Sequence, residues 1–228
     1  MGGTEVPQTM EPADRPRLSR DRVIAAGVAL ADESGIAALS MRKLGERLGV
    51  EAMSLYKHVG NKDDLRDGMV DGVFAELELP SDQPKWRAAL RHRAVSVRAA
   101  LKRHPWAVPM MQSRSNPGPH TLSHLDALIG LLRDAGFSVV LTAHALSVVD
   151  AYVYGFAMQE RALPFDTEER STELIEQILA AMPVDRWPHL VEFSREHVLK
   201  PGYDYSKEFE WGLDLVLDGL QQARDQRL

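Results

Sequence analysis

Residues 39–62, LSMRKLGERLGVEAMSLYKHVGNK, have the spacing of a helix-turn-helix, and this segment constrains the fold more than any other. Apolar Leu44 and Leu48 lie one helical turn apart. Gly45 leaves room for a second helix to cross closely. Gly49 stands where the turn requires a positive φ, which glycine adopts without steric cost. The segment therefore predicts two short helices joined by a tight turn.

The second helix of this pair has two different faces. Val50 and Leu55 continue the buried face from the first helix. The exposed face carries short donors, an aromatic hydroxyl and cations, namely Ser54, Tyr56, Lys57 and His58. Such a face is typical of a helix that lies in a DNA major groove. The alternative is a plain helical hairpin in an all-α core, whose polar residues are merely solvated.

The charge of the chain is unevenly distributed. The formal net charge is −6, which by itself argues against a nucleic-acid partner. Residues 40–62, however, contain five Lys or Arg against two Glu, whereas residues 171–228 contain six against eleven Asp or Glu. A basic DNA-binding segment on an acidic body is compatible with specific binding and discourages non-specific wrapping.

Composition excludes several other classes. At 228 residues the chain can form one large or two small domains. We expect no membrane partner, because no apolar run approaches the ~20 residues of a bilayer span, and the amino terminus lacks a signal-peptide core. The absence of cysteine excludes disulfides and Cys-ligated metal. A cytoplasmic location without metal or other cofactor is therefore expected.

The order of signals along the chain predicts three regions. Residues 1–17 are rich in Pro, Gly and charge and are expected to be a disordered arm. Residues 18–66 form the helix-turn-helix domain, followed by a connecting helix to about residue 79. Residues 80–228 form a second domain. The boundary is placed at the turn-forming residues Pro80 to Pro84.

Capping residues mark the helix ends in the first domain. Ser19 and Ser40 are suited to N-cap a first and second helix, and Gly35 ends the first. Asn61 can N-cap a fourth, with Asp64 giving a variant of the capping box. Lys62 then lies at a helix amino end that already favours phosphate.

The rest of the chain shows helical periodicity and no alternating strand segment, so an all-α fold is predicted. The expected helices cover 86–103, 106–111, 122–135, 138–161, 172–182, part of 185–198, and 206 to about 224. Residues 112–119, QSRSNPGP, are expected to form a loop.

These motifs resemble the tetracycline-repressor family of bacterial transcriptional regulators. The amino-terminal similarity includes Ala26-Gly27-Val28, Leu39-Ser40-Met41-Arg42, Leu48-Gly49-Val50, Leu55-Tyr56-Lys57-His58-Val59 and Asn61-Lys62. A looser similarity to the tetracycline repressor itself includes Gly136-Phe137-Ser138, Gly155 with Glu160, and Phe209-Glu210-Trp211-Gly212-Leu213. The resemblance implies a homodimer with two DNA-binding heads, an all-helical ligand-binding and dimerisation domain, a palindromic double-stranded operator, and release by a small-molecule inducer.

The resemblance also assigns roles to individual residues. Ser40, Tyr56 and Lys62 correspond to phosphate-contacting positions, and Arg42 to a base-reading position. The base-facing side of the third helix carries Ala52, Met53, Ser54 and His58, with Lys57 on the same exposed surface. A bidentate contact from Arg42 to guanine is worth about 1–3 kcal/mol of discrimination. Ala52 and Met53 offer only apolar contact.

Two helices have the composition of a dimer interface. Small residues follow one stripe of the long helix, at Ala143, Ser147, Asp150, Ala151 and Gly155. The last helix carries an apolar stripe of Phe209, Leu213, Val216, Leu217 and Leu220. The family resemblance pairs these helices with their copies in a four-helix bundle. Intramolecular packing of the same stripes is the alternative.

Aromatic and thioether side chains suggest the ligand pocket. The candidate residues are Arg93, Val97, Trp106, Met110, Met111, Phe137, Tyr152, Phe156 and Gln159, with Met158 adding surface nearby. Methionine suits an adaptable, largely apolar site. For each residue taken singly, an ordinary core position is the alternative. The inducer is expected to be apolar or amphipathic, and anionic if Arg93 points inward.

The charge of the helix at 85–103 has two interpretations. It carries seven Lys or Arg and no acidic residue, whereas the preceding helix is rich in Asp and Glu. Pairing between these helices on solvated faces is the favoured interpretation. The functional alternative is that Arg93 meets an anionic ligand.

The sequence departs from the tetracycline repressor at the metal site. Alignment on Trp86 places the repressor's metal-binding His at Met111 and a pocket Asn at Arg93. Alignment on Gly155 places the Glu that helps hold metal-bound water at Gln159. Magnesium requires oxygen ligands and, in that site, one imidazole. We therefore expect no binding of a magnesium–tetracycline chelate in that manner.

Two other functions compete with this one. An enzyme is disfavoured, because the histidines form no HExxH or nucleophile-elbow motif and His120 with His124 is a pair without a third ligand. A helical small-molecule-binding protein of the same fold, acting as an activator or without DNA function, is the remaining alternative. Tyr56, His58 and Lys62 argue for retained DNA binding.

Overall fold

The computed structural model describes residues 17–78, 85–113, 116–163, 177–178, 180, 185–200 and 202–226. The predicted arm at 1–17 and the predicted helix at 172–182 lie almost entirely outside these residues. The chain divides into two compact units, residues 1–72 and 73–228, with the division inside one helix. In the described ranges all regular secondary structure is helical, in agreement with the predicted all-α fold.

The first unit contains three helices and most of a fourth. They are α1 (Arg20–Ser34), α2 (Met41–Leu48), α3 (Ala52–Leu55) and α4 (Lys62–Ala75), with a short 3₁₀ turn at Ile36–Ala38. The predicted caps are confirmed: the Ser19 hydroxyl accepts from the Arg22 backbone N–H at 3.3 Å, and Gly35 ends α1 with φ 77°.

The core of the first unit is apolar and well enclosed. Its fully buried side chains come from every helix, as Val23, Ala31, Leu39, Leu44, Leu55, Val59, Leu65 and Met69. Gly27 allows α1 and α4 to approach, because a Cβ there would stand 3.0 Å from the sulfur of Met69. Of the two apolar residues predicted for α2, Leu44 is fully buried and Leu48 is half-buried.

Two helix boundaries differ from the predictions. The α-helical part of α3 ends at Leu55, and residues 56–58 continue as a turn rather than as helix. Val50 lies in the turn before α3. The connecting helix α4 ends at Ala75 rather than near residue 79, because the amides of Glu76 and Leu77 bond three residues back, to Val73 and Phe74. Such i→i−3 bonds tighten and end a helix.

The second unit is built around one long helix. Its elements are α5 (Trp86–Arg103), α6 (Ala107–Ser113), α7 (Pro119–Asp134), α8 (Val139–Ala162), α9 (Pro188–Phe193), a π-helical segment at Ser194–Val198, and α10 (Ser206–Asp225). Helix α8 packs against α5, α6, α7 and α10. The predicted loop at 112–119 is shorter than expected, because α6 continues to Ser113 and Pro119 begins α7, a position that proline tolerates.

Among the described residues, helix α8 is long and apolar enough, by length and composition alone, to cross a bilayer. The expectation concerned a continuous apolar run, and Asp150 interrupts α8 near its middle. Length and composition are weak grounds for a membrane span, since core helices share them. Its residues Leu141, Ala145, Val149 and Val153 are buried inside this unit, which accounts for the hydropathy.

Ion pairs tie the arginines of α5 to other helices. Arg87 and Arg91 both bind Asp214 of α10, Arg98 binds Glu160 of α8, and Arg103 binds Glu76 just after α4. The predicted charge pairing of α5 is confirmed, but most of its partners differ from the prediction. The preceding helix was expected to provide the carboxylates, and the acidic face of α10 provides several of them instead.

Candidate functional site

The turn between α2 and α3 has the geometry that the sequence predicts. Ser40 N-caps α2, its hydroxyl accepting from the Lys43 backbone N–H at 3.2 Å. Gly49 adopts φ 69° and ψ 34°, in the left-handed region. A Cβ on Gly45 would stand 2.7 Å from the carbonyl oxygen of Val50, so only glycine permits this approach of α2 to the turn.

The proposed DNA-contacting residues surround this turn. Met53, Tyr56, Arg42 and Lys57 are exposed, with Met53 74% and Tyr56 44% accessible. Ser40, Ala52, Ser54, His58 and Lys62 are half-buried. The buried Leu44 and Leu55 hold α2 and α3 from behind. The surface can therefore present cations and one apolar side chain without disturbing the core.

Among the proposed DNA-contacting residues, Arg42 is an exposed cation that forms an ion pair within the chain. Its Nη1 donates to Glu46 Oε1 at 2.7 Å, one turn along α2, and the side chain is 76% accessible. An ion pair this exposed contributes little to stability. Arg42 can therefore exchange Glu46 for another acceptor at small cost.

The amino end of α4 is capped as predicted. The Asn61 side-chain oxygen accepts from the backbone N–H groups of Asp63 and Asp64, both at 2.8 Å. The Asp64 carboxylate departs from a regular capping box, because its Oδ2 accepts from the Gly60 backbone N–H at 2.7 Å. Lys62 is the first residue of α4 and lies beside these oriented amides.

Arg20 carries no role in the sequence predictions, yet it joins three parts of the first unit. Its guanidinium donates to both carboxylate oxygens of Asp64, at 2.8 and 2.6 Å, and to the His58 carbonyl at 3.1 Å. Arg20 therefore fixes the turn that follows α3, at His58, against α1 and α4. The signal that could have found it is a cation in the first turn of α1, where helix dipoles disfavour positive charge.

In the second unit, a buried polar cluster surrounds Arg93. This side chain is 1% exposed, its Nη1 donates to Asp150 Oδ1 at 2.7 Å, and its Nε donates to His124 Nε2 at 3.0 Å. Tyr154, also buried, completes the group, and burial together with Asp150 raises the pKa of its hydroxyl to about 12. Arg93 points inward, where its charge is paired with Asp150.

His124, which the sequence pairs with His120 without a third ligand, is part of this core. It is 1% exposed and lies on the same face of α7 as the buried Leu128 and Leu132. Burial, with a contribution from Arg93, lowers the pKa of the imidazole to about 4, so the ring is neutral at physiological pH. Its spacing of four from Leu128 was the signal that could have placed it inside.

The remaining ligand-pocket candidates do not form one cluster. Phe137 packs edge-on against Trp86, with ring centroids 4.9 Å apart, and Trp106 packs on His104. Met110 and Met111 are half-buried on α6, and Val97 is buried on α5. Gln159 and Met158 are exposed, and Gln159 accepts from the Tyr205 hydroxyl at 3.1 Å.

Tyr152 and Phe156 belong to an aromatic group between α8 and α10. The Tyr152 hydroxyl donates to the Phe209 carbonyl at 2.9 Å, and its ring stacks on the Phe209 ring. The Arg98 guanidinium lies 4.6 Å from the centroid of Phe209 and 5.1 Å from that of Phe156. Tyr152 and Phe156 thus make their hydrogen bonds and ring contacts with residues of the same chain.

A cavity of about 260 Å³ opens between α5 and α8, near the ends of both helices. Its exposed surface is mostly apolar. Three uncharged residues, Leu101, Pro105 and Ala157, and three charged ones, Lys102, Glu160 and Arg161, line it. None of the nine pocket residues predicted from the sequence lines this cavity. Within the described residues, no cluster of three or more His, Asp or Glu side chains is arranged to bind a metal.

The apolar stripe predicted to form the dimer interface is buried within one chain. Phe209, Leu213 and Leu217 are 0% exposed, because α10 packs on α8 through them. Intramolecular packing therefore accounts for these three residues, whereas Val216 of the same stripe is half-buried. Other residues of the same helices are exposed, notably Trp211 and Leu215 on α10 and Ala143, Ser147 and Ala151 on α8.

Comparison with known protein families gives two matches that together cover most of the chain. Residues 23–69 match the bacterial regulatory proteins of the tetR family, and residues 79–224 match the tetracyclin repressor-like C-terminal domain. Residues 70–78, which include the end of α4, lie between the two matches.

Curated relatives extend over nearly the whole chain. The HTH-type transcriptional repressor DrrR1 of Streptomyces coeruleorubidus is 34% identical, over 93% of this chain and 81% of the relative. The tetracycline repressor protein class C of Escherichia coli is 29% identical, over 91% and 93%. Among solved structures, the TetR family protein ActR of Streptomyces coelicolor in complex with actinorhodin has a TM-score of 0.75 and 27% identity, covering 92% of this chain and 99% of ActR.

The helix-turn-helix geometry, the all-helical second unit and these similarities lead to one assignment. The chain belongs to the TetR family of bacterial regulatory proteins, and it is a DNA-binding transcription regulator rather than an enzyme.

Proposed function

We propose that this protein is a cytoplasmic repressor that binds a palindromic operator as a homodimer and is released from it by a small molecule. The observation that carries the proposal is the exposed cationic and aromatic surface around the Gly49 turn, backed by the buried Leu44 and Leu55. The relative DrrR1 is a repressor by name, which supports repression as the mode of action.

In this proposal, different residues of the surface contact the phosphates and the bases. Ser40, Tyr56 and Lys62 bind phosphates, where a hydroxyl, a phenol and an ammonium at a helix amino end suit backbone oxygens. Arg42 reads a base edge in the major groove. Ala52, Met53, Ser54, Lys57 and His58 form the rest of the contact surface. Phosphate contacts set position and register, whereas the base contacts provide sequence preference.

Control by a small molecule is supported by solved relatives and by the continuity of α4. ActR has been solved with actinorhodin and with (S)-DNPA, and TetR from Acinetobacter baumannii with minocycline. Here α4 begins at Lys62 in the first unit, and its last residues, Val73 to Ala75, belong to the second. We propose that a ligand in the second unit displaces the end of α4 and with it the DNA-binding residues.

The homodimer rests on exposed apolar surface. Trp211 is 69% and Leu215 is 61% exposed, one turn apart on α10. The small exposed residues Ala143, Ser147 and Ala151 on α8 permit a second copy to approach closely. A symmetric dimer of this kind matches the symmetry of a palindromic operator.

Footprinting and gel-shift assays on the DNA upstream of the protein's own gene test the proposal. We expect protection of a palindrome with half-sites about one helical turn apart and a steep loss of affinity with salt. A small-molecule fraction from cell extract should reverse the shift. If no sequence is protected at low salt, the proposal fails, and a small-molecule-binding protein without DNA function becomes the better assignment.

A further inference from the structure

The Arg93–His124 hydrogen bond determines which nitrogen of His124 carries the proton. An arginine side chain can only donate hydrogen bonds, because none of its nitrogens is an acceptor. Since Arg93 Nε donates to His124 Nε2 at 3.0 Å, Nε2 must be the unprotonated nitrogen. The neutral ring therefore carries its hydrogen on Nδ1.

This leaves a buried donor without an acceptor. His124 is 1% exposed, and none of the described residues forms a hydrogen bond with its Nδ1. Leaving such a group unsatisfied costs free energy, so buried donors normally have a partner. Flipping the ring would not remove the problem, because it would place carbon against Arg93 Nε and break the existing bond.

The surroundings of His124 define what acceptor would fit. Arg93 and Asp150 form an ion pair at 2.7 Å and cancel each other's charge, while His124 is neutral. The Phe74 ring stands edge-on to the imidazole, with centroids 5.7 Å apart. The site therefore combines apolar surface and a balanced ion pair with one free N–H, which suits an uncharged acceptor better than a carboxylate.

We infer that His124 Nδ1–H is the polar anchor of the inducer site and that the inducer is an apolar molecule bearing a neutral carbonyl acceptor, such as a ketone or quinone oxygen. This inference rests on the proposed ligand control and specifies its chemistry. It also replaces Arg93 as the ligand-binding group, because the charge of Arg93 is already paired with Asp150 and its Nε already donates to His124.

The anchor, His124, contacts the end of α4. Phe74 is in the last turn of α4, and it contacts the His124 ring directly. A ligand that hydrogen-bonds to Nδ1 must lie against this ring and therefore near Phe74. Occupancy of the anchor is thus coupled to the end of the helix that begins at Lys62.

The tautomer can be measured without any ligand. In a long-range ¹H–¹⁵N spectrum of the full-length protein, the His124 signals should show a protonated Nδ1 and an unprotonated Nε2. The signals are assigned by their loss in His124→Asn. A ring protonated at Nε2 would overturn the inference, because Nδ1 would then need no acceptor.

Ligand chemistry is tested with 9-fluorenone and fluorene, which differ by a carbonyl oxygen on otherwise similar rings. Equilibrium dialysis gives the ratio of their affinities for each protein variant. We expect the preference for fluorenone to be about five- to tenfold greater in the wild type than in His124→Leu, the value of one buried hydrogen bond. His124→Asn, which places an amide N–H near the Nδ1 position, should retain part of the preference.

The matched control is His120→Leu, one turn earlier on α7 and exposed. It should leave the fluorenone preference unchanged. The inference is overturned by equal preference in the wild type and His124→Leu, by binding of neither probe, or by an equal loss in His120→Leu. Operator binding without any probe is measured separately, so failure of the DNA-binding proposal is distinguishable from failure of this one.

Discussion

Arg20 at the start of α1 and Asp64 in the first turn of α4 form a two-pronged ion pair across 44 residues of sequence. The same carboxylate accepts the Gly60 amide, and the same guanidinium binds the His58 carbonyl. One pair of side chains thus fixes both ends of residues 58–64. These residues connect α3 and the turn that follows it, which carry proposed DNA-contacting residues, to α4.

Asp64→Asn should destabilise the protein near neutral pH. The hydrogen bond from Arg20, aided by the Gly60 amide, lowers the pKa of Asp64 from 3.8 to about 2. Because the folded-state pKa lies below the ordinary value, the stabilisation is present above pH ~4 and is lost as the pH falls toward ~2. We expect a loss of about 1 kcal/mol in the free energy of unfolding, measured by urea titration. The difference from wild type should shrink below pH ~4.

Asp63→Asn is the matched control for this variant. Asp63 is the neighbouring residue and pairs with Arg66 on an exposed face, its side chain being 78% accessible. We expect a change within about 0.5 kcal/mol. Equal losses in the two variants would show that the Arg20–Asp64 pair stabilises the fold no more than the exposed Asp63–Arg66 pair does.

Gly45→Ala should disrupt the contact between α2 and the turn. The new methyl group would stand 2.7 Å from the Val50 carbonyl oxygen, and backbone atoms cannot move aside cheaply. We expect a loss of about 1–3 kcal/mol in the free energy of unfolding. Gly72→Ala on α4 is the control, because its Cβ meets only the Ile24 methyl group at 3.9 Å. That variant should be stabilised by about 0.5–1 kcal/mol, and a stable Gly45→Ala would contradict the packing described.

Arg42→Ala should relax sequence preference at one base pair of each half-site, by about 1–3 kcal/mol. Folding stability should hardly change, because the side chain's exposed pair with Glu46 contributes less than about 1 kcal/mol. Gel shifts on single-base operator variants measure the effect. Lys62→Ala provides the comparison, since a lost phosphate contact weakens all sequences alike and reduces the salt slope by about one. Uniform loss in both variants would rule out base reading by Arg42.

The sequence predicted those features that depend on neighbours along the chain. Ser19, Ser40 and Asn61 cap helices as expected, and Gly49 adopts the positive φ that the turn requires. These features follow from local hydrogen bonding and backbone sterics. Local patterns in the sequence are therefore sufficient to recognise the helix-turn-helix and to describe its surface.

Long-range partners could not be predicted in the same way. The stripe on α10 indicated that one face is buried, but the pattern is identical whether the partner helix belongs to the same chain or to a second copy. Arg93 was expected either to pair with the preceding helix on a solvated face or to bind an anionic ligand, and it is buried, with Asp150 and His124 as its partners. Which charges meet depends on how distant helices pack, and local sequence patterns do not reveal that packing.

Magnesium should not promote tetracycline binding to this protein through the site used by the tetracycline repressor. The position aligned with the metal-binding histidine is Met111, whose thioether is a poor ligand for a hard cation, and Gln159 replaces the aligned glutamate. After subtraction of a protein-free blank, we expect calorimetric titrations with tetracycline to show no magnesium-dependent binding to the protein. Met111→His with Gln159→Glu is the informative comparison, because it restores two donors. Magnesium-dependent binding by the wild type would contradict the prediction.

Leu215→Glu should weaken the proposed homodimer. Leu215 and Trp211 are exposed on the side of α10 opposite the buried Leu213 and Leu217. A carboxylate in an apolar interface loses hydration without gaining a partner, so the dissociation constant of the dimer should rise by at least about tenfold, measured by sedimentation velocity. Leu122→Glu is the control, because Leu122 is similarly exposed, at 53%, but lies on α7. A wild type that sediments as a monomer would refute the homodimer itself, whereas equal dissociation in both variants would place the interface elsewhere.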